Sequence, residues 1–306
     1  MRKINIGILE FGYLQSDINS MMVIEEIFKY CELADKLGYK SFWLTEHHNF
    51  YKSSPWSTPD TLLPLLLANT EQIKIGVGGV LINYHSPYLV ALNYKLLANI
   101  FPGRVHLGFS NGTPSLKVSQ LLSQRLFKKR PDNYLKNIKA VTGFFQNEEL
   151  HAQKEEILIP PFLGTTPDLY LLGSFCHNLG FALENNLNFC KSTFHDLQSL
   201  TESPDLLNRY RDQFHAANGR DPEVSFALAI ICAKDEKKAK ELASKAPIRP
   251  VVNTLIGCPN FVTDKILEIG EKYNLGDFII ADKSFHSEAK LDTLHLLNEK
   301  FNLNYL

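Results

Sequence analysis

Apolar and polar residues along the chain fall into blocks of two kinds, and the blocks alternate. Ile4 to Phe11 is rich in Ile, Leu and Phe and closes at Gly12, the composition of a buried strand. Val23 to Leu37 then places Ile24, Ile27, Phe28, Cys31 and Ala34 on one helical face and stops at Gly38. Lys40 to Asn49 follows, with Phe42, Trp43 and Leu44 run together where a half-exposed strand would alternate, so both faces of this strand are expected to be buried. Strand, helix, glycine stop and strand make a βαβ unit, and the pattern repeats. Pro59, behind Ser57 and Thr58, starts a helix through Leu62, Leu63, Leu66 and Leu67. Ile73 to Ile82 predicts a third strand, Pro87 to about Ile100 a helix, and Arg104 to Phe109 a fourth strand before a loop of turn formers, Ser110 to Pro114.

Leu116 to Leu158 reads as one or two helices with an insertion, most clearly helical over Tyr134 to Phe145. Asp168 to Leu172 is a fifth strand, followed by a helix through Leu179, Leu183 and Asn185, and Asn188 to Cys190 is a weak sixth. A helix over Leu206 to Ala217, a seventh strand over Val224 to Cys232 and a helix over Lys237 to Ser244 come next. Pro247 to Pro259 is irregular, Val262 to Tyr273 helical, Phe278 to Ala281 an eighth strand, and Leu291 to Phe301 a last helix. Eight strands alternating with helices predict a (β/α)8 TIM barrel over residues 1–306 as a single domain. A doubly wound sheet with an appended domain is the other architecture this order allows, but no Pro/Gly/Ser linker marks a boundary.

Composition adds exclusions. With 44% hydrophobic and 21% charged residues among 306, the chain can bury a large core. A formal net charge of -1, and no basic block longer than Lys128-Lys129-Arg130, argue against nucleic-acid and membrane-surface partners. The five cysteines stand singly, with no C-x-x-C pair, which disfavours a disulfide framework or a zinc ribbon. The N-terminal apolar run is broken at Glu10, unlike a signal peptide, and no stretch has the length of a membrane span. A reducing cytoplasm is the expectation.

The chemistry concentrates after the second strand, which delivers Glu46, His47 and His48 to its C-terminal end. In α/β architectures that end carries the active site; a surface loop with two solvated histidines would look the same in sequence. Metal binding is not expected, because neighbours on a strand point to opposite faces and no third ligand has useful spacing. Trp56, in the following loop, is equally consistent with a substrate-pocket residue and with a core anchor. The remaining histidines, His85, His106, His151, His177, His195, His215, His286 and His295, show no partner pattern and read as solvated or capping. Cys176-His177 lacks the geometry for thiol activation.

Four ordered pieces carry a resemblance. They are Gly38 to Asn49; Ile75-Gly76-Val77-Gly78-Gly79 through Pro87; Pro102-Gly103-Arg104 through Ser110-Asn111-Gly112; and the landmarks Gly173-Ser174 and Gly257-Cys258-Pro259. Together they resemble the bacterial-luciferase-like flavin-dependent monooxygenases over nearly the whole chain. The resemblance implies reduced FMN as cofactor, supplied by a separate flavin reductase, with His47 as the catalytic base near flavin or substrate and Glu46 and His48 supporting it or lining the entrance. It implies a flat ring against Gly78 and Gly79 with a non-proline cis peptide between them, although a bulge or tight bend also accounts for paired strand glycines. The cofactor's phosphate end is expected at Ser110 and Asn111 and at Gly173, Ser174, Phe175 and Asn178, where a helix cap would look the same. A homodimer through the early helices is implied as well.

The chain also departs from that family. Many relatives carry arginine where Asn111 stands, a bidentate clamp on the phosphate, and some luciferases carry a redox-active cysteine where Ser110 stands. The missing charge leaves room for a deazaflavin (F420) cofactor. The expected activity is therefore a monooxygenase acting on a small-molecule or peptide-borne substrate, in a pocket more open than one built for a fatty aldehyde. The alternatives are a flavin- or F420-dependent reductase of a C=C or C=N bond, for example a dehydroamino acid in a lanthipeptide, and a non-catalytic flavin-binding subunit of a heterodimer.

Overall fold

A computed structural model describes residues 3–14, 19–48, 54–124, 132–246 and 251–303. Parts of the expectations above lie outside them: Asn49 at the end of the second-strand stretch, residues 51–53 of the loop that leads to Trp56, 125–131 of the 116–158 stretch with the basic block at 128–130, and 247–250 of the irregular stretch.

Strands β1 (Asn5–Glu10), β2 (Ser41–Leu44), β3 (Lys74–Leu81), β4 (Val105–Ser110), β5 (Asp168–Gly173), β6 (Asn188–Ser192) and β7 (Val224–Cys232) pair in sequence order, all parallel. A short β8 (Leu255–Gly257) pairs only with the end of β7, and β9 (Asp277–Asp282) bridges β7 back to β1. The barrel is thus closed by eight strands, and the doubly wound alternative is set aside. β8 forms within the stretch expected to be irregular because β7 is nine residues long. β9 covers it only from Ser225 to Ile230, leaving Ile231 and Cys232 free to pair with Ile256 and Gly257.

The outer layer comprises α1 (Ser20–Lys36), α2 (Pro59–Ala68), α3 (Pro87–Ile100), α4 (Leu116–Ser123), α5 (Tyr134–Gln146), α6 (Glu148–Glu155), α7 (Leu179–Glu184), α8 (Asp205–Asn218), α9 (Glu236–Lys245), α10 (Pro259–Tyr273) and α11 (Ser287–Phe301). Among its described residues the 116–158 stretch therefore holds three helices, where one or two were expected. Local chemistry sets the ends. Asn19 caps α1 by accepting from the Met22 N–H at 3.0 Å, and Gly38 leaves the helix at φ 81°. Prolines occupy the first positions of α2, α3 and α10.

Two polar anchors place β3, whose far end carries the site. The Asp35 carboxylate accepts from the Glu71, Gln72 and Ile73 N–H groups at 2.6, 3.1 and 2.7 Å. The Arg104 guanidinium donates to the carbonyls of Ile73 and Thr70 at 3.2 and 2.9 Å. Alternation along β2 then sorts its side chains. Phe42 packs outward against Tyr30 of α1, while Trp43 turns into the barrel and donates to Ser41 Oγ at 2.9 Å.

The barrel interior is layered. At the N-terminal ends of the strands, Lys40 lies 2.8 Å from both Glu223 and Asp277, and Lys74 lies 2.9 Å from Asp168. Above this plug Trp43, His106 and Tyr170 meet with ring centroids about 5 Å apart. Above them the interior opens.

Candidate active site

A cavity of about 350 Å³ occupies the C-terminal mouth of the barrel. Its apolar floor and walls come from Leu9, Trp43, Leu172, Cys190, Ala227 and Ile279, with Phe11 and Phe194 toward the mouth. Glu46, His47, His48, Gly78, Gly79, Ser110, Asn111, Gly173 and Ser174 all line it, so most of the site residues expected from sequence converge in one place. Trp56, Phe175 and Asn178 do not line it. Trp56 is the core anchor: its indole donates to the Thr45 carbonyl at 3.0 Å and fills the space beside Gly12, where a Cβ would lie 2.1 Å from the ring. Phe175 stacks on His177, with centroids 5.4 Å apart, and the Asn178 side chain makes no cap hydrogen bond to α7.

The Gly78–Gly79 peptide is cis, as the resemblance implied. A Cβ on Gly79 would come within 2.7 Å of the Gly108 carbonyl oxygen and of Leu172, so β3 can approach β4 here only without a side chain. On Gly78 it would lie 3.2 Å from Trp43 and 3.6 Å from Leu9, both cavity-lining residues.

Glu46 ties three groups together at the mouth. Its Oε1 accepts from His48 Nε2 at 2.9 Å and His85 Nε2 at 2.7 Å, and its Oε2 accepts from the Leu81 N–H at 2.9 Å. Burial alone would raise this carboxyl, but the hydrogen bonds from the two imidazoles, the charge of His85 and the Leu81 N–H outweigh it and hold the pKa at about 2. Burial works against the charged form of His85 as well; the Glu46 hydrogen bond and the charges of Glu46 and Asp60 override it, and its pKa is raised. Asp60 in turn accepts from the Tyr94 hydroxyl at 2.6 Å.

His47 has the opposite environment. It stacks face to face on Phe11, with centroids 5.6 Å apart. Burial, then the charges of Lys283 and His195, push its pKa down to about 4. It is a neutral imidazole at pH 7, not one poised near neutrality as its ordinary value suggests. His195, also on the cavity wall, is lowered by burial and Lys283. Lys283, just beyond β9, is only 3% exposed, with its ammonium 3.3 Å from the Phe11 ring centroid and near Tyr13 and Phe194. Burial lowers its pKa to about 7.

The family model for luciferase-like monooxygenases matches residues 4–290. The chain belongs to this family. Among its relatives is an N-acetyl-S-alkylcysteine monooxygenase of Bacillus subtilis (strain 168), 26% identical over 81% of this chain and 74% of the relative. The oxygenating constituent of 3,6-diketocamphane monooxygenase from Pseudomonas putida, solved in complex with FMN, superposes with a TM-score of 0.72 at 18% identity, covering 100% of this chain and 99% of that one. An F420-dependent secondary alcohol dehydrogenase superposes with a TM-score of 0.62 at 15% identity over 95% and 97%. These two structures share the fold.

For a cofactor of the flavin or deazaflavin class, the ring end of the cavity fits. The glycine wall is flat, the floor is apolar, and the buried hydroxyls of Thr45 and Ser192, both from lining residues, have no hydrogen-bond partner among the described residues, leaving them for a polar ring edge. The phosphate end does not fit a luciferase-like anion clamp. Asn111 Oδ1 accepts from Asn83 Nδ2 at 2.9 Å, an uncharged pair where the resemblance leads to the expectation of a cation. Among the described residues no cluster of three or more His, Cys, Asp or Glu could hold a metal, and no helix is long and apolar enough to cross a membrane.

Sequence reasoning missed His85, His195, Lys283, Thr45 and Ser192. His85 and His195 had a usable signal, since each follows the C-terminal end of a barrel strand, where loops face the ligand. Lys283 follows β9 in the same way. Nothing in the sequence marked its burial.

Proposed function

We propose that the chain is a monooxygenase that uses reduced FMN and dioxygen to oxygenate a small organic or peptide-borne substrate at this mouth. The observation that carries the reading is the gathering of the Gly78–Gly79 wall, the two unpartnered hydroxyls and a neutral His47 around one apolar cavity. Reduced flavin, when bound, supplies the electrons that activate oxygen. The protein's own residues orient and protect. Phe11, Trp43 and Phe194 keep water from the ring end, and Thr45 and Ser192 offer hydrogen bonds to it. His47, neutral at pH 7, can accept a hydrogen bond or, briefly, a proton from the substrate; with a pKa of about 4 it gives that proton back readily. Glu46 moves no proton, because both its oxygens are engaged and its pKa is about 2. The sulfur chemistry named for the Bacillus relative makes small thioethers the first substrates to try, followed by ketones.

The test is oxygen uptake by the purified chain supplied with FMN, NADH and a flavin reductase. Substrate-dependent uptake that His47→Ala lowers by about tenfold or more supports the reading. Product formed anaerobically, without uptake, would move the chain to the second reading, hydride transfer from a reduced flavin or F420. Asn111 favours that branch, because an uncharged phosphate end admits a different cofactor. A non-catalytic subunit is the weakest of the three, given the intact Glu46–His48–His85 cluster. A homodimer through α2 and α3 is part of the proposal, supported by the exposed apolar side chains Leu65, Leu89, Leu96 and Ile100. Light scattering after gel filtration measures it.

A further inference from the structure

Lys191 lies on β6 directly across from Gly173 and is fully buried. Cys190 and Ser192 on either side of it face the cavity, so the Lys191 side chain runs outward, beneath the loop that follows β5. Its ammonium donates to the carbonyl of Ser174, a cavity-lining residue, at 2.7 Å, and is ion-paired with Glu202. Both Glu202 carboxylate oxygens also take the Cys176 N–H, at 3.1 and 3.2 Å. A buried ammonium and a loop N–H converging on one point are the donor set an anionic oxygen group needs. Here a carboxylate of the chain itself fills that point, and it is the solvent-facing member of the pair, with its side chain 16% exposed against 0% for Lys191. At the end of β4, the strand next to β5, Asn111 brings no charge.

We propose that Glu202 is an internal occupant of the cofactor's phosphate end, so that this chain recognises its flavin through the ring and discriminates little between a flavin with a 5′-phosphate and one without. The inference rests on the flavin reading above. It makes Glu202 and Lys191 specificity determinants that touch neither ring nor substrate. Replacing the carboxylate by its amide frees the Lys191 ammonium for a phosphate while keeping the side chain's shape.

The experiment is an anaerobic titration of the full chain with dithionite-reduced FMN and with reduced riboflavin, for wild type, Glu202→Gln and the double variant Lys191→Met with Glu202→Gln. A melting curve for each variant confirms that it is folded. Wild type is expected to bind the two flavins within about threefold of each other, and Glu202→Gln to prefer FMN by about tenfold or more. The double variant, having lost the cation, is expected to return to within about threefold, which a merely structural ion pair would not produce. A wild-type preference for FMN of about tenfold, or a Glu202→Gln ratio equal to wild type, would overturn the inference and leave the flavin reading standing. Failure of both flavins to bind folded wild type overturns the reading itself, and this inference with it.

Discussion

The two ends of the barrel use the same residue types to opposite effect, and the contrast is clearest in two lysines. Lys40, at the N-terminal end, has burial working against its charge, but Asp277 and Glu223 at 2.8 Å outweigh it, and its pKa is raised. Lys283, at the C-terminal end, is buried more deeply, 3% exposed, with aromatic rings for neighbours. No carboxylate lies within ion-pair distance of it among the described residues, and its pKa falls to about 7. Lys283 is the deeper of the two and lacks the carboxylates that override burial at Lys40, and both facts push its pKa down. At one end charges neutralise one another and close the barrel. At the other, a neutral His47 lines the cavity, and the Thr45 and Ser192 hydroxyls have no partner among the described residues. The first arrangement maintains the fold, and the second borders the candidate site.

The contrast can be broken at its strongest point by removing Glu46, the carboxylate that lines the cavity. Glu46→Ala strands the His85 and His48 donors and the Leu81 N–H, and is expected to cost about 3–5 kcal/mol at pH 7 in urea unfolding. The pH dependence follows from the depressed pKa: unfolded, this carboxyl titrates near 4.5, folded at about 2. Its contribution is therefore complete above about pH 4.5 and is lost as pH falls toward 2, where wild type and variant should converge. His47 adds to the acid sensitivity of the wild type, because the unfolded chain takes up its proton near 6.5 and the folded one only at about 4.

At the opposite end, Lys40→Met leaves two half-buried carboxylates facing each other. The expected loss is about 2 kcal/mol, reduced from the value for a fully buried pair because all three side chains retain some exposure, with flavin affinity unchanged. A smaller effect is expected at Gly79→Ala, about 1–2 kcal/mol, as the new methyl must displace the Gly108 carbonyl or Leu172. The smallest is Lys283→Met, nearly neutral in stability. It removes a positive charge that opposes protonation of His47 and should move that imidazole part of the way back from about 4 toward 6.5, read by histidine ring resonances across pH.

Much of the fold and of the mouth is legible in the amino-acid sequence, for definite reasons. The run Phe42-Trp43-Leu44 has no polar face, so only a strand covered on both sides accommodates it, and β2 is buried at all four positions. Gly78 and Gly79 stand out because glycine is rare where a strand needs side chains. The eight-strand count comes from alternation that local composition enforces. What escapes depends on contacts between segments far apart in the chain. His85 becomes a partner of Glu46 only because β3 lies beside β2, 39 residues on. His47 loses its ordinary basicity to burial and to Lys283, from the far end of the chain. Trp56 fits cavity and core equally well by composition, and the space beside Gly12 assigns it to the core. Lys191 and Glu202 read in sequence as two ordinary charges, and only the return of the chain after β6 brings them together.

The placement of Trp43 in the cavity floor and Trp56 outside it makes the central claim directly measurable. In a Trp56→Phe variant, Trp43 is the only remaining indole, since the chain has two tryptophans. Anaerobic titration of that variant with reduced FMN should quench its fluorescence to saturation at one flavin per chain, and Gly78→Val, which fills the space between Trp43 and Leu9, should abolish the quenching while the protein stays folded. Saturable flavin binding that leaves Trp43 emission unchanged, or that survives Gly78→Val, would contradict the assignment of this mouth as the flavin site.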